Sequence, residues 1–387
     1  MKIRMSKKEI LAAVERVQGV VERRNTMPIL ANILLRAEGD HVSFFATDLE
    51  ISIEGSFPAQ VQERGAVTLP ARRLLDILRE TTDDTIDLET SPPAAGADPD
   101  APGWILISSG RSQFKLPSLP PKDFPPPPIR EWETTLVLPS STLSELFRKT
   151  AYATGENDTK YILSGVSIQV EGLPSKDSGG RLRMVASDGH RLVAAETDVA
   201  SPPSGTRNVV ISKKGVVEIQ KLLGEGDGGD GAPTLYLSKW HAGLQWGKIA
   251  ITARLMEGTY PEYRKFIPAS NNRKVVLTKA EFDGALRRVA LLAREKTYGV
   301  RLDFDESQGG RIVLTSHNSE FGEATEEIPA GFEGESVSAI FNAKYLREII
   351  GAIDGKEVIL EFKDGVSAFL IREDAAGFLA VIMPMRS

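Results

Sequence analysis

The sequence predicts an α+β protein built as a threefold repeat, each third carrying two helices packed on antiparallel sheets. Three observations predict it. Six stretches share one grammar, in which a few apolar residues end at Ser, Thr, Asn or Pro and an amphipathic helix with Lys or Arg outward follows. They are KIRMSKKEILAAVERVQGVV from Lys2, AVTLPARRLLDILRE from Ala66, TLVLPSSTLSELFRKTA from Thr135, RNVVISKKGVVEIQKLL from Arg207, VVLTKAEFDGALRRVALLA from Val275 and VSAIFNAKYLREII from Val337. Their spacing is the second observation: the strand ends Met5, Leu138 and Leu277 lie 133 and 139 residues apart, and Leu69, Ile211 and Phe341 lie 142 and 130 apart. A third series, FFATDLEI around Asp48, MVASDGHRL around Asp188 and VLTSHNSEF around His317, keeps the same period.

In order, the first third (1–130) opens with a helix over 6–24. Two alternating strands, MPILANILLRAEG and VSFFATDLEISIEG, precede the helix over 70–80. The loop Ser91–Gly103 is rich in Pro and Gly, and WILISSGRSQFKLPSL supplies two further strands. LPPKDFPPPPIREW cannot donate to a sheet at its prolines and reads as an interdomain linker. The middle third (131–268) repeats the order, with helices over 140–151 and 212–223, the strands YILSGVSIQVEG and MVASDGHRLVAAET, and an acidic Gly-rich loop over 224–233. In its second helix Val216, Val217, Ile219, Leu222 and Leu223 form the apolar side, Lys213, Lys214 and Lys221 the polar side, and Ser212 the cap. The last third (269–387) has helices over 278–296 and 342–353 and ends on FLAVIMPMRS. Ser6 with Glu9, Thr142 with Glu145 and Thr278 with Glu281 have the spacing of capping boxes.

Composition bounds the function. No cysteine is present, which excludes disulfides, thiolate metal sites and a thiol nucleophile and fits a reducing compartment. No secretory h-region or uncharged run approaching the ~20 residues of a membrane span occurs, so the expected location is the cytoplasm, with no membrane partner. The net charge is −6, yet the six helices hold 20 Lys or Arg against 11 Asp or Glu. They therefore carry +9 and the remainder −15. Solvated helix faces are the plainer explanation for any one helix. If all six share a surface, that surface is basic and the rest of the molecule acidic.

Catalysis finds little support. Asp188 and His190 could orient a general base, but no nucleophile accompanies them, and Asp-Gly is a favoured hairpin turn. His41, His190, His241 and His317 lack metal-ligand spacing, and no phosphate loop precedes a helix, so neither metal nor cofactor is expected. The terminal Val381-Ile382-Met383-Pro384-Met385-Arg386 is apolar where a polar tail is usual; a last strand would explain it, and so would an adaptable apolar pocket.

Here a resemblance becomes specific. MPILANILL with TDLE, SGRSQFKL, SDGHRL, ISKKGVVEI, YPEYRKFIP, EKTYGVRL and MPMR occur in the order of the bacterial sliding clamps, the β subunits of DNA polymerase III, and span the whole chain. The resemblance implies three clamp-type domains per chain and two chains closed head to tail as a ring around duplex DNA. Size agrees: domains of about 130 residues are ~36 Å across, so three leave a central hole of ~3 Å radius and six one of ~18 Å, against ~10 Å for the duplex. It further implies a noncatalytic processivity factor that slides without sequence readout and has as partners double-stranded DNA, the replicative polymerase, the clamp loader and other proteins with a short clamp-binding peptide.

By position, the DNA-touching residues would be Arg24, Arg72, Asn157, Tyr161, Lys213 and Lys214, with Ile162 where some members carry a second aromatic. The partner-peptide pocket would comprise Leu163, Ser187, Gly189, His190, Arg191 and Leu192 from the middle third. Pro261, Lys265 and Phe266 follow, the last bulkier than the aliphatic residue expected there, and Val366, Val381, Met383, Pro384, Met385 and Arg386 complete it. The ring seam would join Phe114 and Leu116 of one chain to Leu291 and Leu292 of the other, although helix core would equally explain the leucines. The competing reading is a clamp-like scaffold that binds proteins only.

Overall fold

The computed structural model describes residues 1–21, 27–91, 103–156, 158–172, 179–200, 206–224, 231–293, 298–305, 310–373 and 377–386. Its backbone falls into two compact units, 1–141 with 217–255 and 142–216 with 256–387. Among the described residues the six α-helices are α1 Lys7–Val17, α2 Ala71–Glu80, α3 Ser140–Thr150, α4 Lys213–Gly224, α5 Lys279–Val289 and α6 Ala343–Ala352. α1 and α5 are shorter than their apolar periodicity predicts, because each tightens into a 3-10 turn, Gln18–Val20 and Ala290–Leu292.

The helix starts correct the expected caps. Ser6 accepts from the Glu9 amide at 3.2 Å, and its hydroxyl donates to the Glu9 carboxylate at 2.9 Å, closing the box through side chains. Ser212 accepts from the Gly215 amide at 3.3 Å. Thr278 is the N-cap of α5 but accepts no capping bond. Thr142 lies inside α3, which begins at Ser140, and Glu145 instead pairs with Lys149 at 2.9 Å. In α4, Val217 turns outward while Val216, Ile219, Leu222 and Leu223 are buried.

Among the described residues every strand pair is antiparallel. In the first unit, one sheet runs Gln60–Glu63, Lys2–Ser6, Thr85–Ser91, Gly103–Ser109, Ser112–Ser118. The other joins Thr134–Val137, Thr234–Leu237, His241–Trp246 and Ile249–Arg254 to Ile51–Pro58, His41–Thr47, Asn32–Glu38 and Gly65–Pro70. The Pro-rich linker beyond this sheet is pinned, since Phe124 is buried against Phe45 at 5.8 Å between centroids and Arg130 pairs with Glu54 at 2.8 Å. In the second unit, Arg207–Ser212, Gly165–Gly172, Gly180–Ser187 and Arg191–Val199 continue into Phe378–Ile382, Phe369–Arg372, Glu357–Phe362, Arg273–Thr278 and Gly331–Glu333 as a nine-stranded sheet. Gly322–Pro329, Arg311–Asn318, Gly299–Asp305 and Val337–Asn342 form a four-stranded one. Phe304 and Phe341 of the latter pack on Phe362 and Phe369 of the former, with centroids 4.8 to 6.0 Å apart.

The repeat is visible in hydrogen bonds. Asp48 Oδ1 accepts from the Glu50 and Ile51 amides, Asp188 Oδ1 from those of His190 and Arg191, and Asn318 Oδ1 from that of Glu320. The third member of the turn series is therefore Asn318, one residue beyond the His317 on which the sequence pattern centres. Lys7 and Lys279, each the first residue of its helix, donate to the carbonyls of Thr81 and Ile353, the C-caps of α2 and α6. There the negative end of a helix dipole receives a cation.

Candidate functional site

Two adjoining sets of side chains in the second unit gather many of the residues singled out above. The first set surrounds the turn between Gly180–Ser187 and Arg191–Val199. Gly189 takes φ +88°, open to glycine at no steric cost, and the turn closes with Ser187 Oγ accepting from the Gly189 amide at 3.1 Å and donating to the Arg191 carbonyl at 2.8 Å. Asp188 and His190 thus meet as a hairpin turn. Asp188 is spent on backbone amides and on Arg191, an arrangement for holding a loop.

The Arg191 guanidinium is buried. It donates to Asp188 at 3.0 Å, Glu348 at 2.5 Å and the Tyr152 carbonyl at 2.8 Å, and lies 5.2 and 4.2 Å from the ring centres of Tyr152 and Tyr345. Burial pushes the Tyr152 phenol far above its ordinary value, so the ring stays neutral beside the cation. Arg191 therefore fixes the turn from beneath and offers no charge to solvent. His190 is exposed and stacks on Tyr345 with centroids 6.4 Å apart. Tyr152, Tyr345 and Glu348 were not evident from the sequence, because they lie 39, 154 and 157 residues from Arg191 and no local pattern connects them.

Beside this turn, Leu163, Leu192 and Val381 belong to one buried cluster with Val185, Tyr260 and Leu370. Ile162, in place of a second aromatic, packs against it. Around this floor stand exposed apolar groups: Phe266 is 62% exposed, Val366 81% and Met383 46%. Phe266 ends a 3-10 turn, Tyr263–Phe266, and projects outward. The last strand stops at Ile382, after which Met383 donates its amide to the His190 carbonyl at 3.0 Å and Met385 to that of Ile340 at 2.7 Å. Pro384 has no amide to donate and is tolerated there. Pro384 and Met385 are half-buried, while Pro261, Lys265 and Arg386 are exposed, Lys265 paired with Glu262 at 2.5 Å. The structure thus pairs a buried aliphatic floor with exposed thioether and aromatic side chains.

The expected nucleic-acid residues divide. Arg24 and Asn157 lie outside the described residues. Arg72 is exposed on α2, whose opposite face buries Ala71, Leu74, Leu75 and Leu78. Tyr161 is 57% exposed on the 3-10 helix Asp158–Ser164. Lys213 and Lys214 begin α4, and Lys213 lies 3.4 Å from Glu156. Among the described residues, Lys8, Arg72, Arg73, Arg287 and Lys344 have no carboxylate within 4.0 Å. Other helix cations are consumed internally: Arg79 by Glu15, Arg288 by Glu326, Arg347 by Asp283. α2, α4 and α6 carry cations in the first turn and no acid there, which opposes the helix dipole by ~0.3–1 kcal/mol each. An anionic partner would relieve that cost.

The expected seam residues lie at open positions. Phe114 and Leu116 are half-buried on Ser112–Ser118, the edge strand of its sheet in the first unit. In the second unit Leu291 is 78% exposed and Leu292 half-buried, on the 3-10 turn after α5 and outside the helix core. The neighbouring edge strand is Gly322–Pro329, preceded by Phe321 at 62% exposure, which its sequence context did not distinguish.

Comparison with known proteins covers the whole chain. Three family models match in succession: the DNA polymerase III beta subunit N-terminal domain over 1–128, its central domain over 137–262 and its C-terminal domain over 264–386. The chain is 35% identical to the beta sliding clamp of Caulobacter vibrioides and 32% to that of Escherichia coli K12, covering 100% of each. It is similar to the solved sliding clamp of Caulobacter crescentus, with TM-score 0.90 and 34% identity over 100% of both chains. A Pseudomonas aeruginosa clamp, solved bound to griselimycin, gives TM-score 0.89 at 32% identity with the same coverage.

Proposed function

The chain belongs to the DNA polymerase III beta subunit family, the bacterial sliding clamps, and on that premise we propose how its residues do the work of a processivity clamp. It is a noncatalytic factor that holds a DNA polymerase to its template. Two copies close head to tail into a ring around duplex DNA, in the cytoplasm at the nucleoid. Topology retains the ring. The helix cations supply an attraction to phosphate that reads no base.

The observation that carries the DNA-facing role is the set of exposed cations with no carboxylate within 4.0 Å among the described residues, Arg72, Arg73 and Lys8 on α1 and α2, and Arg287 and Lys344 on α5 and α6. Arg72, Tyr161, Lys213 and Lys214, together with Arg24 and Asn157, are assigned to the duplex. The floor of Leu163, Leu192 and Val381, with the rim of Phe266, Val366 and Met383, takes the aliphatic and aromatic anchors of a partner peptide. Ser187, Gly189, His190, Pro261, Lys265, Pro384, Met385 and Arg386 border it, and Arg191 positions its turn. The seam pairs the edge carrying Phe114 and Leu116 with the region of Leu291 and Leu292; two open strand edges are a ready template for pairing.

The test is retention on DNA. Protein loaded by a clamp loader on nicked circular plasmid should stay with the circles on gel filtration and be lost after linearisation. Equal retention on both forms would make the binding ordinary surface contact. Failure on both with a competent loader would favour the protein-binding scaffold.

A further inference from the structure

Three neighbouring strands of the nine-stranded sheet, Arg191–Val199, Phe378–Ile382 and Phe369–Arg372, form successive cross-strand rows on one face. Leu192, Val381 and Leu370 are paired across the first row, and Ala194, Leu379 and Arg372 across the next. The first row contains the pocket floor. The second, about 7 Å along the strands, lines a groove of about 490 Å³ together with Tyr263, Arg264 and Ile267. Ala194 and Tyr263 share the buried cluster of Leu163, Leu192 and Val381, and Ile267 and Leu379 pack against it. The floor and the groove are therefore lined from adjacent rows of one sheet face and share one side-chain cluster.

The polar side of the groove is not symmetric in charge. Its most exposed ionic side chains are cations, Arg264 at 57% and Arg372 at 45%. The carboxylates are withdrawn: Glu196 is 29% exposed and Glu373 5%, and the arginines' own partners Glu171 and Glu361 are 32% and 20% exposed. Arg264 engages Glu171 through Nη2 at 3.1 Å, and Arg372 engages Glu361 through Nη2. A guanidinium has five N–H donors, so each retains donors directed elsewhere.

We propose that this groove reads the residues flanking the apolar anchors of the partner peptide and takes an acidic side chain, Asp or Glu, on Arg264 and Arg372. Apolar parts of the flank lie on Ala194, Ile267 and Leu379. The inference rests on the pocket reading above and adds a charge preference to it. Partners with the same anchors are then ranked by their flanks.

The test is fluorescence polarisation with the full chain and labelled peptides that share Leu and Phe anchors. Their flank, before or after the anchors, is either Glu and Asp or the matching Gln and Asn. On one side the acidic flank should bind about fivefold tighter at low salt and lose that advantage at high salt. The R264Q/R372Q variant should abolish the advantage and bind the unflanked peptide as the parent does. Equal affinity for acid and amide flanks, or an advantage that survives in R264Q/R372Q, overturns the proposal. The salt series on the parent protein needs no variant to fold. If the unflanked peptide fails to bind the parent, or binds M383A/M385A equally well, the pocket reading falls and this inference falls with it.

Discussion

The ammonium of Lys149 lies 2.8 Å from a carboxylate oxygen of Glu373, and both side chains are buried. Glu145 and Asp354 each approach the same nitrogen at 2.9 Å, and the Phe378 ring centre lies 5.5 Å away. Burial by itself would favour the neutral amine; hydrogen bonds to Glu373, Asp354 and Glu145 outweigh it and hold the Lys149 pKa well above the ordinary lysine range. Lys149→Met should cost about 3–5 kcal/mol, because it strands Glu373 without its cation. Calorimetry reads this directly. A melting temperature within about 1 °C of the parent would show that the pair is dispensable.

The same cluster sets an acid limit on stability. Burial pushes the Asp354 carboxyl up, but hydrogen bonding to Lys149 and the charges of Lys149 and Arg148 more than offset it, holding the pKa below its ordinary 3.8. A depressed folded pKa stabilises the native state above the unfolded value and is lost as pH falls through the folded one. Asp354→Asn should therefore be less stable than the parent at neutral pH, with the gap closing below pH 3.8. A gap unchanged in acid urea titrations would exclude Asp354 as its source.

Met383→Ala with Met385→Ala should weaken an anchor peptide about tenfold, the loss of one strong contact. Dimer mass and retention on circular DNA should not change. Peptide affinity equal to the parent's would remove Met383 and Met385 from the pocket.

Leu291→Asp should turn the dimer into monomers while leaving the melting temperature of the chain nearly unchanged, because a side chain 78% exposed contributes little to its own fold. Leu292→Asp should cost some stability as well, since Leu292 is half-buried. Sedimentation on dilution separates the cases. A Leu291→Asp protein that keeps dimer mass would move the seam elsewhere.

Much of the fold was legible because it is local. Six strand–helix units, the Asp-Gly turn at 188–189 and the apolar end at Met383 and Met385 all depend on residues within a few positions of one another. The misses were local too where alternatives were close in energy: Thr142 falls within α3 because Ser140 starts the helix earlier, and α1 and α5 tighten to 3-10 before their apolar pattern ends.

By itself the sequence determined the threefold α+β repeat, the positions of its helices and the apolar character of the terminal segment, since helix and strand periods are written in neighbouring residues. Only the tertiary structure decided which charges are available to a partner. Lys149 and Arg191 are buried among carboxylates and rings, and Lys7 and Lys279 are spent on helix-end carbonyls, whereas Arg72, Arg264 and Lys344 face solvent. Beside the near neighbours Asp188 and Glu145, partners that consume those charges lie far along the chain, Tyr152 39 residues from Arg191 and Glu373 224 from Lys149. A charge is neutralised by whatever the fold brings within about 4 Å, a distance that sequence spacing does not encode.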